Sequence, residues 1–164
     1  MPCPQKDKEV IDMLKRFVTN TLWSTLALLM MSVIFTALAF FLIDNIEMIA
    51  GPLLMAIFCA LLHIGYFIGQ RLHYSKSLSP VSVVILPVLI LAVVYGLSLV
   101  GIPFVSMMIQ YPSAVWGEAL NLPRPDEAPV LFYGVLIAHY LASALSLFIG
   151  AYKKHRENRG EKLK

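Results

Sequence analysis

Four stretches of this chain, 17–43, 51–70, 81–104 and 130–152, contain no Asp, Glu, Lys or Arg. Crossing about 30 Å of hydrocarbon takes about 20 predominantly apolar residues, because an α-helix rises about 1.5 Å per residue. Each block meets that length, and each is bounded by charge or by Pro and Gly. A soluble domain carries roughly 25% charged residues to cover its surface. Here the figure is 14%, against 59% hydrophobic residues. The 164 residues therefore predict one all-α, polytopic membrane domain, a four-transmembrane-helix bundle.

The charged residues lie in the connections, and they are sorted by sign. The tail 1–16 carries Lys6, Lys8, Lys15 and Arg16, and the connection between spans two and three carries Arg71 and Lys76. The tail 153–164 carries Lys153, Lys154, Arg156, Arg159, Lys162 and Lys164. Twelve of the thirteen basic residues (four, two and six) thus fall on one side. The other side has Asp44, Glu47, Glu118, Asp126 and Glu127 with a single base, Arg124. The positive-inside rule makes the basic side cytoplasmic, so both termini are expected inside the cytoplasmic membrane.

Two segments outside the spans have a pattern of their own. Between Lys8 and Val18, the apolar residues Val10, Ile11, Leu14, Phe17 and Val18 recur at helical spacing. That predicts an N-terminal amphipathic helix, lying on the cytoplasmic leaflet or simply extending span one. The connection 105–129 is long for so small a bundle. It reads as a short interfacial helix carrying Tyr111 and Trp116, residue types favoured at membrane interfaces, followed by a stiff proline-rich outer loop.

Lipid tails are as apolar as leucine, so helices in a bilayer associate where small residues let their backbones approach. Span four has Gly134, Ala138, Ala142, Ser146 and Gly150 at every fourth position. Span two has Ala56 and Ala60, then the GxxxG pair Gly65 and Gly69. Span three has a weaker version in Ala92, Gly96 and Gly101, and Pro87 predicts a mild bend near its start.

Ionisable residues inside a membrane mark proton relays and ion paths. The charge-free spans therefore argue against a proton-coupled carrier or an intramembrane aspartyl protease. Hydrolase, metalloprotease, dithiol and nucleotide-binding motifs are likewise missing, so neither a catalytic residue nor a metal site is predicted. Cys3 and Cys59 form no disulfide framework. The basic tail interleaves acids and attracts anionic lipid rather than nucleic acid.

One intramembrane polar cluster remains. Cys59, His63, Tyr66 and Gln70 share a face of span two, and His139 and Ser143 share one on span four, with Tyr140 beside them. At about 1.5 Å per residue, His63 lies about 18 Å along its span and His139 about 14 Å along its own. Three uses are open to them: hydrogen bonds between helices, the lining of a polar cavity for a small solute or lipid headgroup, or axial ligation of haem b by the two imidazoles. The leading expectation is a non-enzymatic, cofactor-free protein: an accessory, regulatory or immunity-type subunit that meets a membrane protein partner or its own copies by helix contact. A small oligomeric transporter or pore is the alternative, and a cytochrome subunit with haem b on His63 and His139 comes third.

Overall fold

The computed structural model describes residues 4–43, 50–72, 79–101, 103–124 and 126–158. These form five α-helices: α1 (Pro4–Ile43), α2 (Ala50–Gly69), α3 (Leu86–Gly101), α4 (Pro103–Ala119) and α5 (Pro129–Asn158). A π-helical turn, Val81–Ile85, leads into α3. There is no strand among the described residues. Four segments are long and apolar enough to cross a membrane: Lys8–Leu42, Gly51–Gly69, Val81–Gly101 and Pro129–Asn158.

After Pro4, neither Gly nor Pro interrupts α1, and its 40 residues extend about 60 Å. That is about twice a hydrocarbon thickness. The amphipathic stretch 8–18 therefore continues into the apolar part without a break, with Val10, Ile11, Leu14 and Val18 exposed and Phe17 half-buried.

The π turn before α3 has a local cause. Pro87 has no N–H to give the carbonyl of Val83, and its ring crowds that carbonyl in a regular helix. The backbone widens upstream instead, and the Leu86 N–H bonds the Val81 carbonyl five residues back. At the start of this segment, Ser79 Oγ accepts the Val81 N–H at 3.1 Å and so satisfies one of the free donors.

Sequence reading ends span three at Phe104 and leaves 105–129 as a connection. In the structure α3 ends at Gly101, and Pro103 opens a further helix of 17 residues. Proline suits that first position because its missing N–H would have no partner there. α4 contacts α1, α3 and α5, and the backbone of its last residue, Ala119, lies against Gly51 at the start of α2. It buries Ile109, Pro112, Ser113 and Trp116, which recur at i, i+3, i+4 and i+7 and so line one side. Asn121 closes the helix with φ of 52°, a left-handed conformation that Asn tolerates, and the Leu122 N–H bonds the Gly117 carbonyl. α4 is thus a structural fifth member of the bundle.

The most extensive helix pair is α2 with α5. They run parallel: Ser146 Oγ donates to the Leu62 carbonyl at 2.5 Å, and one turn on Gly150 faces the Tyr66 backbone. A Cβ at Gly69 would strike the Leu147 carbonyl, and one at Gly150 would strike the Tyr66 carbonyl. Gly65 lies against Ser146 and the Met31 side chain, which brings α1 to the same seam. The small-residue ladder of α5 is used in its second half only. Gly134 and Ala138 are exposed, Ala142 is half-buried, and Ser146 and Gly150 meet α2. Ala92, Gly96 and Gly101 of α3 are exposed, and the two glycines have open space where a Cβ would stand.

Candidate functional site

Where α1, α2, α4 and α5 converge, the bundle encloses an aromatic cluster around His139. Its imidazole stacks on the Phe58 ring with centroids 4.8 Å apart and lies 5.1 Å from the Phe35 ring. Trp116 stacks on Phe35 at 5.2 Å and meets Phe58 edge-on at 5.5 Å. The Trp116 Nε1–H donates to His139 Nδ1 at 3.3 Å. That bond needs an unprotonated Nδ1, so it fixes the imidazole as neutral with its proton on Nε2.

The neighbouring residue extends the network. The Tyr140 hydroxyl donates to the Ile109 carbonyl of α4 at 3.1 Å. A phenol has one proton, so Ser32 Oγ on α1, 2.9 Å away, donates to the Tyr140 oxygen. Ser113 Oγ ties α4 to the Phe132 carbonyl at 2.6 Å, and Ser143 Oγ bonds back to the His139 carbonyl of its own helix at 2.9 Å. The named hydroxyls and His139 Nδ1 are each partnered, whereas the buried hydroxyls of Ser24 and Thr36 on α1 have no partner among the described residues.

The structure does not bring the sequence-predicted polar residues to one place. His139, Tyr140 and Ser143 are buried, whereas Cys59 and His63 are exposed on α2. Tyr66 and Gln70 are half-buried, and the Tyr66 ring has the Lys153 ammonium 5.6 Å from its centre. At 100° per residue, Phe58, which stacks on His139, and His63 lie on opposite flanks of α2. His139 is thus enclosed in the bundle, whereas His63 is exposed on α2. Among the described residues no three His, Cys, Asp or Glu side chains converge as a metal site would require.

The residues that enclose His139 were not among the sequence-predicted ones. Phe35, Phe58 and Ser32 look like ordinary span residues. Trp116, read as an interfacial type, is 5% exposed and lies at the centre of the cluster. Its signal was the helical spacing of Ile109, Pro112, Ser113 and Trp116 within a segment too polar to qualify as a span.

His63 has different surroundings. Its Nδ1 is 3.3 Å from the Cys59 carbonyl one turn back on the same helix. Around it on the open flank of α2 are Ala56, Cys59 and Ala60, all exposed and all small, with Phe67 one turn further on. No family model, curated protein or solved structure matches the chain.

Proposed function

We propose that this chain spans the cytoplasmic membrane four times with both ends inside and acts, without catalysing a reaction, as an accessory or regulatory subunit. Its working surface is the open flank of α2, which takes a transmembrane helix of a partner protein. The orientation rests on the sorting of Lys and Arg to one set of connections. The partner role rests on His63. An imidazole part-way along an apolar helix has two ring nitrogens to satisfy, and in lipid no water does so. Nδ1 is placed against the Cys59 carbonyl, and Nε2 is left for a group from outside the described residues. Ala56, Cys59 and Ala60 give a flank smooth enough for another backbone to approach.

The interior supports the same reading, because His139, Tyr140, Ser113 and Ser146 each bond another helix of the same chain. A second reading follows if the occupant is another copy of this chain. His63 residues would then face one another, and an oligomeric transporter or pore would form around them.

Cys59 allows a direct test because it is exposed on this flank. In a Cys3→Ser background, Cys59 carries a benzophenone photocrosslinker and native membranes are irradiated. The accessory reading expects one dominant adduct with a different membrane protein, lost in Ala60→Leu. An adduct of twice the chain mass favours the oligomeric transporter instead. Labelled protein that forms no adduct, and co-purifies with nothing in mild detergent, overturns both.

A further inference from the structure

At the basic end of the bundle, a cleft of about 250 Å³ opens between α1 and the end of α2, lined by Trp23, Ile68, Arg71 and Leu72. Three of these walls are apolar, and the fourth is a guanidinium. Trp23 is exposed, as an indole at the level of lipid headgroups would be. Seven residues before it on the same face of α1 is Arg16, about 10 Å further out along the helix, with Thr19 between them. The cleft therefore has apolar walls and a single arginine, Arg71, among its lining residues, and Arg16 stands outside it.

Two other cations on the basic side are engaged. Lys154 pairs with Glu157 at 3.3 Å, and Lys153 lies over the Tyr66 ring. Among the described residues, Arg71 has no carboxylate at ion-pair distance. A guanidinium offers a planar fork of N–H donors that matches two phosphate oxygens. The carbonyls ending α2 disfavour an anion placed directly on them. Two of those carbonyls are already bonded, Ile68 by the Arg71 N–H at 2.8 Å and Gly69 by the Leu72 N–H at 3.1 Å.

We propose that this cleft binds one anionic phospholipid of the cytoplasmic leaflet, its phosphate held by Arg71 and an acyl chain laid against Trp23, Ile68 and Leu72. The charge selects the ligand: the Arg71 guanidinium, with no carboxylate at ion-pair distance among the described residues, favours a headgroup with net negative charge over one that carries its own cation. The apolar wall selects a lipid over free phosphate. The inference rests on the membrane-spanning reading, and it is independent of what occupies the open flank of α2.

Native mass spectrometry of the full chain in detergent tests it, with phosphatidylglycerol and phosphatidylcholine of matched chains titrated separately. The first phosphatidylglycerol is expected to bind more tightly than the first phosphatidylcholine. Each basic residue near such a surface contributes about fivefold, so Arg71→Gln should weaken phosphatidylglycerol by about that factor and erase most of the preference. Arg124→Gln should leave binding unchanged. Arg71 is exposed, so its loss should not alter the melting temperature, which serves as the folding control. Equal binding of the two lipids overturns the proposal, as does an Arg71→Gln variant that binds like the parent. Displacement of the lipid by millimolar inorganic phosphate also overturns it, since the site would then be one for free phosphate. Loss of lipid in Arg71→Gln from a protein that captures no partner retains this site and sinks the accessory role. A captured partner with Arg71→Gln unaltered does the reverse.

Discussion

The two flanks of α2 use small residues in opposite ways. On one, Gly65 and Gly69 are pressed against α5, where Leu147 and Ser146 leave no space for a side chain. On the other, Ala56, Cys59 and Ala60 are also small, and all three are exposed among the described residues. Small side chains in a membrane helix are a means of approach. The first flank has its partner within the chain, and the proposed function gives the second a partner outside it. The polar groups divide in the same way. Ser146 bonds the Leu62 carbonyl across the closed flank, whereas the His63 ring turns back to its own helix on the open one.

The largest effect is expected on the closed flank. Replacing Gly150 by Leu puts carbon into the Tyr66 carbonyl, and backbone cannot swing aside as a side chain can. Overpacking a tight site costs about 1 to 3 kcal/mol where side chains adjust, and this contact exceeds that case. Gly150→Leu is expected to prevent assembly or lower the melting temperature in detergent sharply, with Gly69→Leu close behind. Gly134→Leu should be nearly silent, because nothing stands within 4 Å of its Cβ position. Equal damage from Gly134→Leu would break the comparison, because Leu is the better helix former and no close contact there would account for the loss.

Next in size is the aromatic cluster, which holds α4 to the bundle. Trp116→Ala removes a buried ring packed on Phe35, Phe58 and His139, and truncations of that kind cost about 3 to 5 kcal/mol. Trp116→Phe keeps most of the ring and loses the hydrogen bond. Interhelical hydrogen bonds in membranes average about 0.6 kcal/mol and reach about 1.7. A double-mutant cycle of Trp116→Phe with His139→Phe, read by reversible denaturant unfolding, is expected to return a coupling in that range. Zero coupling would reduce His139 to an aromatic filler. Tyr140→Phe should cost a similar amount, since it leaves the Ile109 carbonyl and Ser32 without their shared partner.

These two regions also differ in how far they could be read from the chain alone. The four long apolar helices follow from the absence of charge over lengths matched to a bilayer, a signal that needs no tertiary information. The Gly65–Gly69 spacing pointed to close contact, and that contact is with Leu147 and Ser146. What the spacing could not tell is which rungs of a ladder are used: Gly134 and Gly150 look alike in sequence, and only the second meets a helix. α4 reads in sequence as a short interfacial helix within 105–129, but its burial in the bundle escaped because hydropathy and periodicity disagree in it. Its buried side includes Ser106, Ser113 and Trp116, polar enough to resemble a surface segment. Their groups are satisfied by the Pro103 carbonyl, the Phe132 carbonyl and His139, none of which a one-dimensional pattern displays. The pairing of His63 with His139 failed to form for a simpler reason. Similar depth on two helices says nothing about rotation, and the rotation of α2 is set by Gly65 and Gly69 facing α5.

The smallest effect on stability, and the one that sharpens the comparison most, is expected on the open flank. Ala60→Leu and His63→Ala change exposed side chains of α2, and surface changes of this kind usually stay within about 0.5 kcal/mol. The purified chain should therefore melt like the parent in both variants. In membranes the same two substitutions should differ in kind. Leu at position 60 blocks backbone approach and should abolish capture through Cys59. Ala at position 63 removes a single hydrogen bond and should weaken capture only modestly, by the fraction of a kcal/mol to about 1.7 that such bonds supply. A His63→Ala variant that loses stability in detergent would mean that the imidazole serves the fold itself. The two flanks of α2 would then differ in packing density and in nothing else.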